Sequence, residues 1–95
     1  MLLATRNLGI GDTRLYHVRY SDWLARGAVL VTEAVTVPAG TKSSIGTIAA
    51  DDDGKGFTFF VVTGSVVESF TASVTITDSL SQTLTDTVAF NVLTP

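Results

Sequence analysis

The sequence predicts an all-β fold, a small antiparallel β-sandwich of six to seven strands preceded by an extended N-terminal arm. From Phe57 to Val92 apolar residues alternate with Thr and Ser, most clearly in Phe70-Ala72-Val74-Ile76 and Val88-Phe90-Val92. That period of two belongs to strands with one buried face, and no stripe at helical spacing competes with it. The strand candidates are separated by short connections of about two to seven residues, the spacing of a sandwich. Ninety-five residues suit one domain and leave no room for a second core.

Residues 1–13 contain Gly9-Ile10-Gly11-Asp12 and no sustained period, so they read as an arm, leaving residues 14–95 for the sandwich. Arms of this kind order against a partner. A seventh, short strand is admissible within residues 5–10. The first strand candidate runs from Leu15 to Tyr20, with Tyr16, Val18 and Tyr20 inward. Ser21-Asp22-Trp23-Leu24, closed by Arg26-Gly27, reads as a corner in which Ser21 or Asp22 caps the turn and Trp23 and Leu24 fold over the end of the core. The next strand, Ala28 to Val37, places Glu33 on the face of Val31, Val35 and Val37, which requires either a bulge or an open face. Pro38-Ala39-Gly40 ends it, because Pro cannot donate to a ladder and Gly permits the turn. Ser43 to Ala49, with Ile45 and Ile48 off strict alternation, suits an edge strand. The polar turn Asp51 to Gly56 leads into Phe57 to Thr63. Gly64-Ser65 links that strand to a long one from Val66 to Thr77, and Asp78 to Gln82 connects to the last, Thr83 to Leu93.

Hydrophobic content is 45% and charged content only 16%, lean for a free-standing domain, so part of the surface is expected to face protein. A domain of this size buries roughly 60–68% of its unfolded surface. Cysteine is absent, which removes disulfides and thiolate metal sites and leaves oligomerisation or docking as the supplement to stability. The net charge is −3, and Lys and Arg form no stripe in the sequence, which argues against direct nucleic-acid binding. The N-terminus lacks the pattern of a signal peptide, and runs such as Phe59-Phe60-Val61-Val62 are far shorter than the roughly 20 residues of a membrane span. Synthesis in the cytosol without a membrane anchor is the expectation.

Few groups offer chemistry. Asp51-Asp52-Asp53-Gly54 has adjacent carboxylates and no Glu at the spacing of a calcium loop, and reads as a solvated hairpin turn. His17 is the sole imidazole, placed on the outer face of a strand, with no second His and no Cys to complete a zinc site. Glu33 and Glu68 are the only glutamates, and no aromatic-rich cleft surrounds them to suggest a glycosidase. Gly9-Ile10-Gly11 lacks the third Gly, the Lys and the strand-to-helix context of a phosphate loop. No catalytic, cofactor-binding or metal-binding residue is therefore assigned, no cofactor is expected, and the chain reads as a non-enzyme. Trp23, with Tyr16 and Tyr20, forms either a lid on the core or a sugar-stacking platform.

Two resemblances add to this reading. The segment Val74 to Val92 resembles the closing hairpin of immunoglobulin-like modules of the cadherin and polycystic-kidney-repeat type. The ordered set of Tyr16 to Tyr20, Ser21-Asp22-Trp23-Leu24, Val35-Thr36-Val37-Pro38-Ala39-Gly40 and that hairpin is similar to the small immunoglobulin-like structural proteins of tailed bacteriophages and prophages, described as fibre-to-tail adaptors. It departs from their pattern at Val35, where a Trp often stands, and at the shortened turn Gly64-Ser65. The resemblance implies an immunoglobulin-like, non-enzymatic virion component, made in the host bacterial cytoplasm and present in multiple symmetric copies. Its partners would be tail, neck or fibre proteins. A capsid decoration (cement) protein bound to the major capsid protein, or a glycan-binding adhesion module, are the alternatives. On this reading the docking residues lie in the arm, Leu2, Leu3, Arg6, Leu8 and Ile10, since apolar side chains without their own core need a partner. Deletion of residues 1–10 is expected to leave a folded monomer.

Overall fold

The computed structural model describes residues 1–94; Pro95, the last residue of the expected domain, lies outside them. The described residues form seven strands: β1 Leu2–Gly9, β2 Thr13–Arg19, β3 Leu30–Thr36, β4 Ser44–Ala50, β5 Gly56–Val62, β6 Glu68–Asp78 and β7 Thr83–Leu93. They divide into a four-stranded sheet, β1-β7-β6-β3, and a three-stranded sheet, β2-β5-β4. The hairpins β4–β5 and β6–β7 stay within a sheet, while the connections β1–β2, β2–β3, β3–β4 and β5–β6 cross between sheets. That is the Greek-key arrangement of an immunoglobulin-like sandwich, here with the first strand on the sheet of the last.

Alternation decides the core. Phe57, Phe59 and Val61 of β5 meet Ala72, Val74 and Ile76 of β6 and Val88, Phe90 and Val92 of β7, all buried. Burying each large side chain contributes roughly 1.5–3 kcal/mol relative to leaving it exposed. Phe90 is central: its ring lies 5.4 Å from that of Phe70 and 5.3 Å, edge to face, from that of Tyr16. Tyr16 and Val18 of β2, and Tyr20 just beyond it, do turn inward.

The expected arm is instead a strand. β1 runs parallel to β7 from Leu2 opposite Thr87 to Gly9 opposite Leu93, and Leu8 is core, only 4% exposed. Ile10 packs against the core as well. Local pattern hides β1 for two reasons. Arg6 interrupts the inward series Ala4, Arg6, Leu8, and the hydrogen-bond partner lies at the far end of the chain, where only long-range pairing reaches it. The sandwich therefore begins at residue 2, and the boundary at residue 13 falls within the fold.

Other differences follow from register. β3 starts at Leu30, and a bulge between Leu30 and Thr32 turns Val31 out to 60% exposure. This seats both Leu30 and Val35 inside and leaves Glu33 half-buried, so of the two readings of Glu33 the bulge is the one observed. β4 is an edge strand with its own irregularity between Ile45 and Ile48. β6 begins at Glu68 because Val66 and Val67 lie exposed in the crossing between sheets.

Candidate functional site

Strands β1 and β2 are edges of different sheets that flank the same open side of the sandwich. Between them lies a cleft of about 220 Å³, with Ala4, Val18, Phe59 and Val88 as apolar walls and Arg6, Tyr16, His17 and Arg19 also in its lining. Register explains the lining. Ala4 and Arg6 pair with Val88 and Phe90, and Arg14, Tyr16 and Val18 with Val61, Phe59 and Phe57, so all five share the inward face of their sheet. Burial raises the Tyr16 pKa, while the nearby Arg14 and Arg6 pull it down and Asp12 raises it. Arg6 has no acidic partner among the described residues.

The connection from β1 to β2 is a locked turn. The Gly9 amide donates to Asp12 Oδ2 at 2.8 Å, and the Asp12 amide donates to Thr63 Oγ1 at 2.8 Å. Thr63 Oγ1 in turn donates to the Gly9 carbonyl at 2.8 Å. Gly11 takes φ 82°, a left-handed conformation that other residues adopt at a cost.

An ion cluster joins β2 to the β4–β5 turn. Arg19 donates to Asp51 Oδ2 at 2.9 Å and reaches Asp53 with two bonds, 2.9 and 2.7 Å, while His17 Nε2 lies 2.6 Å from Asp51 Oδ2. The bond to Arg19, then that from the Lys55 amide, holds the Asp53 carboxyl down at about 2. His17, then Arg19, lowers that of Asp51. Asp52 and Asp53 are exposed, while Asp51 is half-buried, and the carboxylates of Asp51 and Asp53 point to one side and bind β2. Gly56 allows this approach, since a Cβ there would come within 2.5 Å of the Val18 carbonyl. Among the described residues no group of three or more His, Cys, Asp or Glu is arranged to hold a metal ion.

Two buried carboxylates escaped the sequence reading. Asp86 accepts a 3.0 Å bond from the Tyr20 hydroxyl across the sandwich, and burial followed by this bond drives the Tyr20 pKa upward. The signal was present, because Asp86 interrupts the inward series Leu84, Asp86, Val88, Phe90. Asp78 closes the β6–β7 turn, its Oδ1 accepting from the Leu80 amide at 3.0 Å and the Gln82 amide at 2.8 Å.

The corner is made differently from expectation. The amides of Trp23 and Leu24 both donate to the Tyr20 carbonyl, and no side-chain bond from Ser21 or Asp22 is found among the described residues. Asp22 is exposed. Leu24 is buried, while Trp23 rests edge-on against Tyr20 and stays 37% exposed, a partial lid. Of the five expected docking residues, Leu3 and Arg6 line the cleft, Leu2 is exposed, Leu8 belongs to the core and Ile10, half-buried, packs against it.

The outer faces of the two sheets differ. That of the four-stranded sheet carries Thr32, Ala34 and Thr36, then Ser73, Thr75 and Thr77, then Thr83, Thr85 and Thr87, then Thr5 and Asn7, with no charge among them. Its hydroxyls and amides bond across strands, Thr75 to Thr85 at 3.2 Å, Thr77 to Thr83 at 3.3 Å and Asn91 to Asn7 at 3.1 Å. The outer face of the three-stranded sheet is divided between the ion cluster and an apolar pair, Leu15 opposite Phe60.

No protein-family model matches the sequence, and comparison with curated proteins found no significant match. Among solved structures, the fold matches part of a 2,6-sialyltransferase from Photobacterium sp. JT-ISH-224, crystallised with CMP and lactose, at a TM-score of 0.54 and 13% identity. The match covers 96% of this chain but only 18% of that one, and at such identity the likeness is one of fold.

Proposed function

We propose that this chain is a non-enzymatic structural module of a tailed-phage virion, an adaptor that attaches fibres to the tail or neck through its sheet surfaces. The observation that supports a contact role is the uncharged outer face of the four-stranded sheet. Charge is depleted at the centres of protein interfaces, because every buried ion must be desolvated. Short hydroxyl side chains already bonded to one another lose little rotamer freedom on contact, so such a face is inexpensive to cover. Several copies in one particle convert modest individual contacts into firm attachment. The ordered motifs from Tyr16 to Val92 supply the virion context.

The experiment is quantitative mass spectrometry and electron cryo-microscopy of purified particles from a strain that expresses the chain. Adaptor function predicts the sandwich at the tail or neck, in a copy number matching the symmetry there. Absence from the particles overturns the reading, and stoichiometry matching the major capsid protein reassigns it to the capsid surface.

A further inference from the structure

The four edge strands are not equally protected. β1, β3 and β4 each carry a register break, at Leu2/Ala4, Leu30/Thr32 and Ile45/Ile48. Such irregularities disrupt the ladder and discourage pairing with another chain. β2 has none: it pairs with β5 in unbroken register from Thr13 opposite Val62 to Arg19 opposite Gly56, and its other side is a free edge. That one regular edge borders the apolar cleft, with Arg6 in its lining and no acidic partner for Arg6 among the described residues.

We infer that β2 is an acceptor edge, and that the cleft takes an extended acidic and apolar peptide segment of a partner protein. The segment adds as a strand along the seven residues of β2. Its alternate side chains turn inward, where apolar ones meet Phe59 and Val88 and a carboxylate meets Arg6. Main-chain bonds supply sequence-independent affinity, and the inward cation supplies selectivity: an apolar or basic strand would leave Arg6 desolvated and unpaired, whereas an acidic one neutralises it. Arg14 reinforces that preference from the same inward face, since its own contact with Asp12 is a long, exposed 3.9 Å. The inference names a partner chemistry for the contact module proposed above and rests on that reading only in taking the ligand to be a protein.

The test uses the isolated chain and a capped heptapeptide with valine, aspartate and valine at its second, fourth and sixth positions and threonine elsewhere. A second peptide has lysine in place of aspartate. Titration followed by amide chemical shifts should move β2 and the cleft residues of β1, and the aspartate peptide should bind about tenfold more tightly than the lysine peptide. Arg6→Gln should keep the dispersed spectrum of the folded chain and erase the difference between peptides. No shift at millimolar peptide, shifts confined to β3 or β4, or equal binding of the two peptides would overturn the inference. Any of these results leaves incorporation into particles through the threonine face untouched.

Discussion

The β6–β7 hairpin and the β1–β2 side of the sandwich are built from the same alternation and put it to different uses. In the hairpin the period of two is unbroken, each inward residue is apolar except Glu68, Asp78 and Asp86, and pairing is between neighbours in sequence. Along β1 and β2 the inward positions include Arg6 and Arg14, and β1 finds its partner at the opposite end of the chain. Regular alternation makes a wall. Interrupted alternation at an edge leaves an opening with a charge beside it, and that is where a small sandwich can recognise something.

The comparison breaks most visibly if the hairpin does not carry the core. Phe90→Ala should destabilise the chain by about 3–5 kcal/mol in urea unfolding, as for other large-to-small core changes, whereas Thr75→Ala on the outer face should stay within about 0.5 kcal/mol. If the two costs proved similar, the division into wall and surface would be wrong. Leu8→Ala comes next, at about 2–4 kcal/mol, against a near-neutral Leu2→Ala one turn of the pleat from the core. A neutral Leu8→Ala would return β1 to the status of an arm, and deletion of residues 1–10 would then leave the stable monomer first expected. With β1 docked, that deletion should lower the unfolding midpoint sharply.

Tyr20→Phe sharpens the role of the cross-sheet bond, because it removes the donor to a buried carboxylate and leaves the ring in place. A loss of about 1–3 kcal/mol is expected at neutral pH, read by the same unfolding curves. The smallest effect concerns the ion cluster. The Asp51 and Asp53 pKa values are depressed in the folded chain, so their contribution is present above the ordinary carboxylate range near about 4 and is lost as pH falls below it, for Asp53 towards about 2. Asp53→Asn should flatten the pH dependence of the thermal midpoint in that window. High salt should weaken the wild-type effect, because the cluster is exposed. An unchanged acid profile would show that the Arg19 contacts are not kept in solution.

What could be read in advance follows the same division. The hairpin from Glu68 to Leu93 was legible because Phe70, Val74, Ile76, Val88 and Phe90 announce one face without ambiguity. The bulge in β3 was half legible, since Glu33 among valines demanded some irregularity. β1 was not, because Arg6 masks its inward face and parallel pairing to β7 leaves no local trace. The Arg19 cluster was also hidden: adjacent aspartates in a turn do not reveal which side each carboxylate takes, and Arg19 lies more than thirty residues away in sequence. Arg6 was singled out for the wrong surroundings, as part of an arm, and its place at the cleft depended on folding that arm into the sheet.

The parallel seam between β1 and β7 has a mechanical consequence. The start of β1 lies beside Thr87, and the end of β7 lies beside Gly9, at the other end of the seam. Tension applied through the two ends therefore drags these strands past each other lengthwise, loading their slanted bonds together instead of peeling them one by one. A tether hung on this module would have to shear the whole seam before the domain yielded. Stretching single molecules from their ends should register a higher rupture force than pulling β6 from β7 at their turn.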